Sequence, residues 1–300
     1  MAILAITALI SLWAGLRNAL GPLGSQDNQW GPSRALLSHQ DPYRLVLEQH
    51  EHPSRPAPFP LSQDPNYPAF GLVMLWPYAS LPWPLAKVVW AVLNVFFTGL
   101  IVGGLFHLFL SSKPKWTLIL VTGMLMTGTP FRVQIGNGQQ ALFSLGLFVL
   151  SIIFAEEEKD LLSAICLAAS LFKYTVTLPL LPFFLVRRQW RIVLLAAGID
   201  LGLTFFAAAW AQASPWQMMI GPVRSALLTT GQGYIDIRSI FGHIDMEAWS
   251  WLWIPAGGCM LLIAAAFCQR YGNGNELLVL SLMSVVSLLV FFHLAYDAVV

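Results

Sequence analysis

Long apolar runs separated by short polar clusters make up most of the chain. Runs near the roughly 20 residues needed to cross a hydrocarbon core of about 30 Å predict membrane spans. They fall at Ala2–Leu20, Pro84–Leu110, Trp116–Thr129, Gln139–Phe154, Leu161–Val186, Ile192–Ala211, Ser250–Cys268 and Glu276–Val300. The predicted fold class is an all-α polytopic membrane protein of about nine membrane segments, with the broken span described below counted as two. No soluble linker or low-complexity stretch divides residues 1–300, so they read as one domain.

Composition supports this reading. The 300 residues are 57% hydrophobic and 10% charged, against about 25% charged in a soluble domain. An ordinary soluble enzyme is thereby excluded, as is a disordered chain. The net charge of +1 leaves no basic field for nucleic acid. Cys166, Cys259 and Cys268 lie in or at the end of apolar runs and read as small buried hydrophobes, not a disulfide or metal framework. The first run lacks a basic leader and is followed by further spans, so it reads as an uncleaved span.

Loop charge sets the expected orientation. Lys113 and Lys115, Arg187, Arg188 and Arg191, and Arg270 lie in short loops, and cationic loops favour the cytoplasm. A single crossing by Leu161–Val186 would put Glu156–Asp160 and Arg187–Arg191 on opposite sides. That span contains Lys173, Pro179 and Pro182. A break near Lys173 gives two short arms of roughly 18–20 Å each, and the chain returns to the cytoplasm. Broken helices are tolerated where they line a cavity or pack in protein. Gly21–Phe70 and Gln212–Trp249 then become long extracytoplasmic loops, and Pro130–Gly138 a short one. Trp30, Trp76, Trp83, Trp210, Trp216, Trp249, Trp251 and Trp253 cluster near these junctions, as an interfacial belt does.

Most polar residues outside the basic loops fall on this outer side. Asp27 follows the first span closely and reads either as a general base or as a loop or capping residue. Asp41 precedes Pro42 and Tyr43, a pattern that starts a turn or helix; it is the alternative base. Lys173, at the expected break, reads as a phosphate ligand or a snorkelling cation. Asp200, in mid-span, reads as a helix-pairing residue. Arg132 and the Gly136-Asn137-Gly138-Gln139-Gln140 turn open a helix whose free N–H groups suit an anion. Arg238 is a second candidate cation of the outer loops. His293 and Asp297 stand four apart on one helix face. His50, Glu51 and His52 lack a spaced ligand set, so no metal site is expected. Walker, Rossmann, Ser-elbow and HExxH patterns are absent.

Five segments carry a resemblance: "QDNQWGPSRALLSHQDPY", "YPAFGLVMLWPYASLPWPLAKVVWAVLN", "IGNGQQALFSLGLFVLSI", "AICLAASLFKYTVTLPLLPFFLVRRQWR" and "HLAYDAVV". In order and spacing the chain resembles the GT-C membrane glycosyltransferases, most closely glycosyltransferase family 87, which includes polyprenyl-phosphate-mannose-dependent mannosyltransferases. The resemblance implies a GT-C-like bundle in a bacterial plasma membrane, with the site on the extracytoplasmic side. It implies Asp27 at the catalytic position, Asp41-Pro42-Tyr43 as the family's DPY element and Gly138-Gln139 as its GQ element, although Gln140 stands where Asn is common. It also implies Lys173 as the lysine of the broken helix, and His293 and Asp297 as the late His/Asp element. Family members usually continue further, so either the last run ends at the membrane surface or C-terminal helices follow Val300.

The expected activity is inverting transfer of a sugar, mannose by default, from a polyprenyl-phosphate donor to a lipid or glycan acceptor. Lys173, Arg132 and Arg238 would hold the donor phosphate; Tyr43, Asn137, Gln139, His293 and Asp297 would line the site. No metal or cofactor is required by this scheme. The alternative is a transporter or lipid flippase, whose broken helices and buried charges look alike.

Overall fold

The computed structural model describes residues 2–26, 28–54, 56–59, 64–110, 114–228, 253–271 and 276–290. All regular structure among them is helical. Helix α1 spans Ala2–Leu20. Two short helices follow, α2 (Trp30–Leu37) and α3 (Pro42–Glu51), then α4 (Ala69–Met74) and α5 (Trp76–Ala79). Helix α6 (Trp83–Leu105) ends in a π-helical turn, Phe106–Leu110. Helices α7 (Lys115–Thr127), α8 (Thr129–Gly136) and α9 (Ala141–Glu156) follow. The broken segment comprises α10 (Asp160–Ser170), α11 (Tyr174–Thr177) and α12 (Pro182–Val186). Helices α13 (Trp190–Trp210), α14 (Pro215–Leu228), α15 (Trp253–Tyr271) and α16 (Glu276–Val290) complete the order.

Among the described residues, four helical stretches are long and apolar enough to cross a membrane: Ala2–Leu20, Trp83–Leu110, Asp160–Leu180 and Trp190–Trp210. The pair α7–α8 makes a fifth if counted as one span, bent by 62°. The bend falls at Gly128, whose extended backbone is followed by Pro130 at the start of α8; proline fits the first turn of a helix but cannot continue one. Apolar side chains such as Ile3, Leu194 and Leu262 stand on the outside of the bundle, where lipid replaces water.

Three stretches expected to be loops carry helices; in Gln212–Trp249 it is α14, whose Pro215 starts a helix where a loop was expected. Gly21–Phe70 carries α2, α3 and the start of α4. Asp41 caps α3 through its side chain, and Pro42 occupies the first turn, so local signals that start a turn here start a helix. Pro130–Gly138 is mostly α8, which buries Phe131 and Ile135 against α1.

The break in the Asp160–Leu180 stretch is built from backbone accounting. After Ser170 the chain tightens into a 3₁₀ turn, Leu171–Lys173, and Pro179 supplies no N–H to a continuing helix. Ser144 Oγ accepts from the Lys173 N–H at 3.1 Å. Thr177 Oγ1 donates to the Ser170 carbonyl at 2.8 Å. The polar groups released by the break therefore find partners inside the protein, as the interior of a membrane demands. The two ends of the segment meet: Arg187 pairs with Glu156 at 3.5 Å and Arg191 with Asp160 at 3.2 Å. Chain that leaves at Asp160 thus returns beside its starting point.

Three apolar clusters hold the bundle. One joins α9, α10, α12, α13, α15 and α16 around Phe148, Leu167, Phe184 and Met283. A second gathers Leu36, Tyr43, Leu72, Trp90, Phe172 and Met218 beneath the short helices. The third packs α1 on α6, α8 and α9.

Candidate functional site

The site is a chain of hydrogen bonds that ties three separated motifs together. Lys173 is 4% exposed, and its Nζ donates to Gln139 Oε1 at 2.8 Å. The Tyr67 hydroxyl donates to the same oxygen at 3.3 Å. The carbonyl of Tyr67 in turn accepts from the Tyr43 hydroxyl at 2.6 Å. Tyr43 belongs to α3, capped by Asp41, whose Oδ1 accepts from the backbone N–H groups of Tyr43 and Arg44 at 2.9 and 3.2 Å. The bond to Gln139 is to a neutral amide oxygen and orients the ammonium.

Local geometry places each partner. Gln139 follows the end of α8, where Gly138 adopts φ +67°. The Gly138 N–H bonds the Ile135 carbonyl and the Gln139 N–H bonds the Gln134 carbonyl, the pattern of a Schellman cap. A left-handed residue is needed there, and glycine takes that conformation without strain. Phe172, next to Lys173, packs on the Tyr67 ring at 5.0 Å. It also lies so close to Gly71 that no side chain fits there. Burial raises the Tyr43 phenol well above the usual tyrosine range, and the Asp41 carboxylate adds to the effect. Tyr43 therefore remains a donor at neutral pH.

Asp27 lies outside the described residues, as do Arg238, His293 and Asp297. The residues on both sides of Asp27 are fastened to the rest of the bundle. Ser25 donates its N–H to the Gly136 carbonyl at 2.9 Å and sits against Gly138. Asn28 and Gln29 are buried, and Gln29 Nε2 donates to the Asp64 carbonyl at 3.1 Å. The segment flanking Asp27 is thus fastened to the turn that presents Gln139.

Other expected residues divide. Asn137 is the C-cap of α8 and half-buried, beside the cluster in sequence. Arg132 is exposed on α8, and no bond joins it to Lys173 or Gln139 among the described residues. Tyr67 and Ser144 escaped the sequence reading. Tyr67 opens a quoted motif, but nothing in its neighbours marks a phenol that meets Gln139. Ser144 sits in an apolar helix and is explained only by the break it satisfies.

Further polar atoms are buried nearby. On α6, Trp90 Nε1 and both amide atoms of Asn94 are buried without a hydrogen-bond partner among the described residues. Trp90 joins the cluster through Phe143, with ring centroids 5.9 Å apart, and Phe143 reaches Phe172 at 6.0 Å. Neutral polar groups of this kind suit water or ligand hydroxyls. No group of three His, Cys, Asp or Glu among the described residues is arranged to hold a metal ion.

Two apolar grooves open on the bundle surface. One, of about 710 Å³, runs between α1 and α6 along Trp13, Leu16, Val92 and Phe96, with Arg17 and Gly21 at its end. Lys87 Nζ donates to the Gly21 carbonyl at 2.8 Å. The other, of about 440 Å³, lies between α4, the broken segment, α13 and α14.

Apolar helices long enough to cross a membrane, packed around a buried lysine, define an integral membrane protein. Residues 66–294 match glycosyltransferase family 87. The chain belongs to that family and is a membrane glycosyltransferase. No curated protein and no solved structure matches it.

Proposed function

We propose that the enzyme transfers a sugar, mannose by default, from a polyprenyl-phosphate donor to a lipid or glycan acceptor on the extracytoplasmic face, with inversion at the anomeric carbon. The observation that carries this reading is the Lys173–Gln139–Tyr67–Tyr43 chain, which gathers the lysine, GQ and DPY elements at one place. Lys173 holds the donor phosphate as a point charge. Asp27 takes the acceptor's hydroxyl proton while that oxygen attacks the anomeric carbon. The bond from that carbon to the phosphate oxygen breaks, and the lipid phosphate leaves with the electron pair. Lys173 stabilises the charge that grows there, an effect of roughly 2.7–4 kcal/mol for one well-placed donor. Asp41 already engages an oxygen in capping α3, which favours Asp27 as the base.

Arg238, His293 and Asp297 complete the site in this scheme, with Asn137 at its edge. Exposed Arg132 meets the phosphate only at the rim. The prenyl chain lies in the α1–α6 groove, whose end at Gly21 leads to the Asp27 segment. Trp90 and Asn94 face the sugar hydroxyls. No metal takes part.

The test is transfer in proteoliposomes from a panel of radiolabelled polyprenyl-phosphate sugars to a membrane-lipid extract. Wild type and Asp27→Asn are compared at matched protein levels. Transfer by wild type that disappears in Asp27→Asn is the expected result, and the active donor names the sugar. Equal transfer by both removes Asp27 as the base. Absence of transfer from every donor rejects the lipid-phosphate donor.

A further inference from the structure

Asp200 stands in the middle of α13, 8% exposed, on the wall of the 440 Å³ groove. Among the described residues its buried Oδ1 has no hydrogen-bond partner, and none of the ion pairs includes it. The rest of the lining is apolar apart from Thr204, whose hydroxyl already donates to the Asp200 carbonyl at 2.8 Å. Leaving a carboxyl unpaired at this depth is expensive, and residues of this kind mark binding pathways.

Depth ties the groove to the site. The Arg191–Asp160 pair aligns the starts of α10 and α13. At 1.5 Å per residue from those starts, Lys173 lies about 20 Å along and Asp200 about 14 Å. The two are therefore about one helical turn apart in depth. Leu171, two residues before Lys173, forms part of the groove wall, and so does Phe70. The groove runs from the lipid-facing surface to the flank of the polar cluster.

We infer that this groove seats a lipid alcohol, with its chain along Leu167, Leu201 and Met219 and its hydroxyl hydrogen-bonded to Asp200. A prenyl hydrocarbon chain brings no hydrogen-bonding group to meet the carboxyl, whereas an alcohol does. Seated there the alcohol waits short of the reaction, and its hydroxyl leaves Asp200 before Asp27 takes its proton; the assignment as the acceptor class rests on the proposed transfer, the binding itself does not. The acceptor and donor lipids then approach Lys173 from different sides of the bundle, one past α13 and the other along α1 and α6.

Photolabelling of the full chain in nanodiscs tests this. The probes are a long-chain alcohol carrying a diazirine and its methyl ether, with adducts mapped by mass spectrometry. The alcohol is expected to label Leu167, Leu201 and Met219 about three- to tenfold more than the ether, the span of one net hydrogen bond. Asp200→Leu is expected to abolish that preference and Asp200→Asn to keep it. Leu201→Trp, which fills the groove and leaves Asp200 in place, is expected to abolish labelling by both probes. Equal labelling by alcohol and ether, a preference that persists in Asp200→Leu, or adducts confined to other surfaces would overturn the assignment. No sugar enters the experiment, so failed transfer and failed alcohol binding remain distinguishable.

Discussion

Lys173 Nζ lies 2.8 Å from Gln139 Oε1, and this bond joins the break in the Asp160–Leu180 stretch to the turn between α8 and α9. Both partners are nearly inaccessible. Removing the amide therefore disturbs a buried cation, at roughly 1.5–3 kcal/mol for a charged hydrogen bond. Gln139→Ala is expected to lower kcat/KM for transfer about ten- to hundredfold. Lys173→Met is expected to remove the charge itself and to reduce kcat by a further order of magnitude. Steady-state kinetics on both variants checks this, with thermal unfolding in detergent as a control for folding. Unchanged kinetics in Lys173→Met would exclude the lysine from the reaction.

Gly138 offers a backbone test of the same turn. Its φ of +67° is unfavourable by roughly 1–2 kcal/mol for a residue with a Cβ. An added Cβ would also come within 3.0 Å of the Ser25 Cβ, two residues before Asp27. Gly138→Ala is expected to lower the unfolding midpoint and to impair transfer together. Gly103 supplies the contrast: it lies in α6 with open space around it. Gly103→Ala should leave transfer intact and raise stability by up to about 1 kcal/mol. Unfolding midpoints of the two variants decide the matter.

Tyr43 gives a dependence on alkaline pH. Its folded-state pKa lies above the unfolded value of 10.0, so the native state holds the proton more tightly. That contribution is complete below pH 10 and is lost as pH rises beyond it, because the unfolded phenol then ionises first. Stability is accordingly flat in this term through neutral pH and declines above about pH 10. Tyr43→Phe should make the decline shallower, leaving the share that buried Tyr78 contributes. It also strips the Tyr67 carbonyl of its 2.6 Å partner, a loss of about 1–3 kcal/mol at neutral pH. Denaturant unfolding of wild type and variant between pH 8 and about pH 11 measures both effects.

The sequence disclosed the parts of the fold that follow from apolar length. Helices α1, α6 and α13 stand close to where unbroken hydrophobic runs put them, since a bilayer leaves such runs few other options. Lys173 was legible because two prolines and a buried charge in one span conflict with a straight helix. Helices α2 and α8 were not, because short helices packed at an interface have neither the length nor the hydropathy of a span. Their caps and prolines equally announce turns. The role of Tyr67 was hidden for a different reason: its value lies in contacts with Tyr43 and Gln139, which chain topology alone brings together.

Two pairs of contacts group the helix ends at opposite ends of the bundle, and the side each faces can be measured directly. Glu156–Arg187 and Asp160–Arg191 fasten the start of α10 and the start of α13 at one end of the bundle. At the other end, His39 Nδ1 meets the Trp210 carbonyl at 3.0 Å and its ring stacks on Trp210 at 4.1 Å. Helix α13 spans the distance between them, roughly 30 Å. Glu158, Arg188 and Gln40 are exposed, so each accepts a labelled cysteine without disturbing the interior. Cys166, Cys259 and Cys268 are first replaced by Ala. Glu158→Cys and Arg188→Cys are then expected to react with an impermeant maleimide from the same side, and Gln40→Cys from the opposite one. A straight crossing from Asp160 to Val186 would instead divide Glu158→Cys from Arg188→Cys. Labelling in intact cells and in inverted vesicles also identifies the compartment that Gln40 faces. Because Gln40 adjoins Asp41 and the short helices over the Lys173 cluster, the same result tests the extracytoplasmic placement of the reaction.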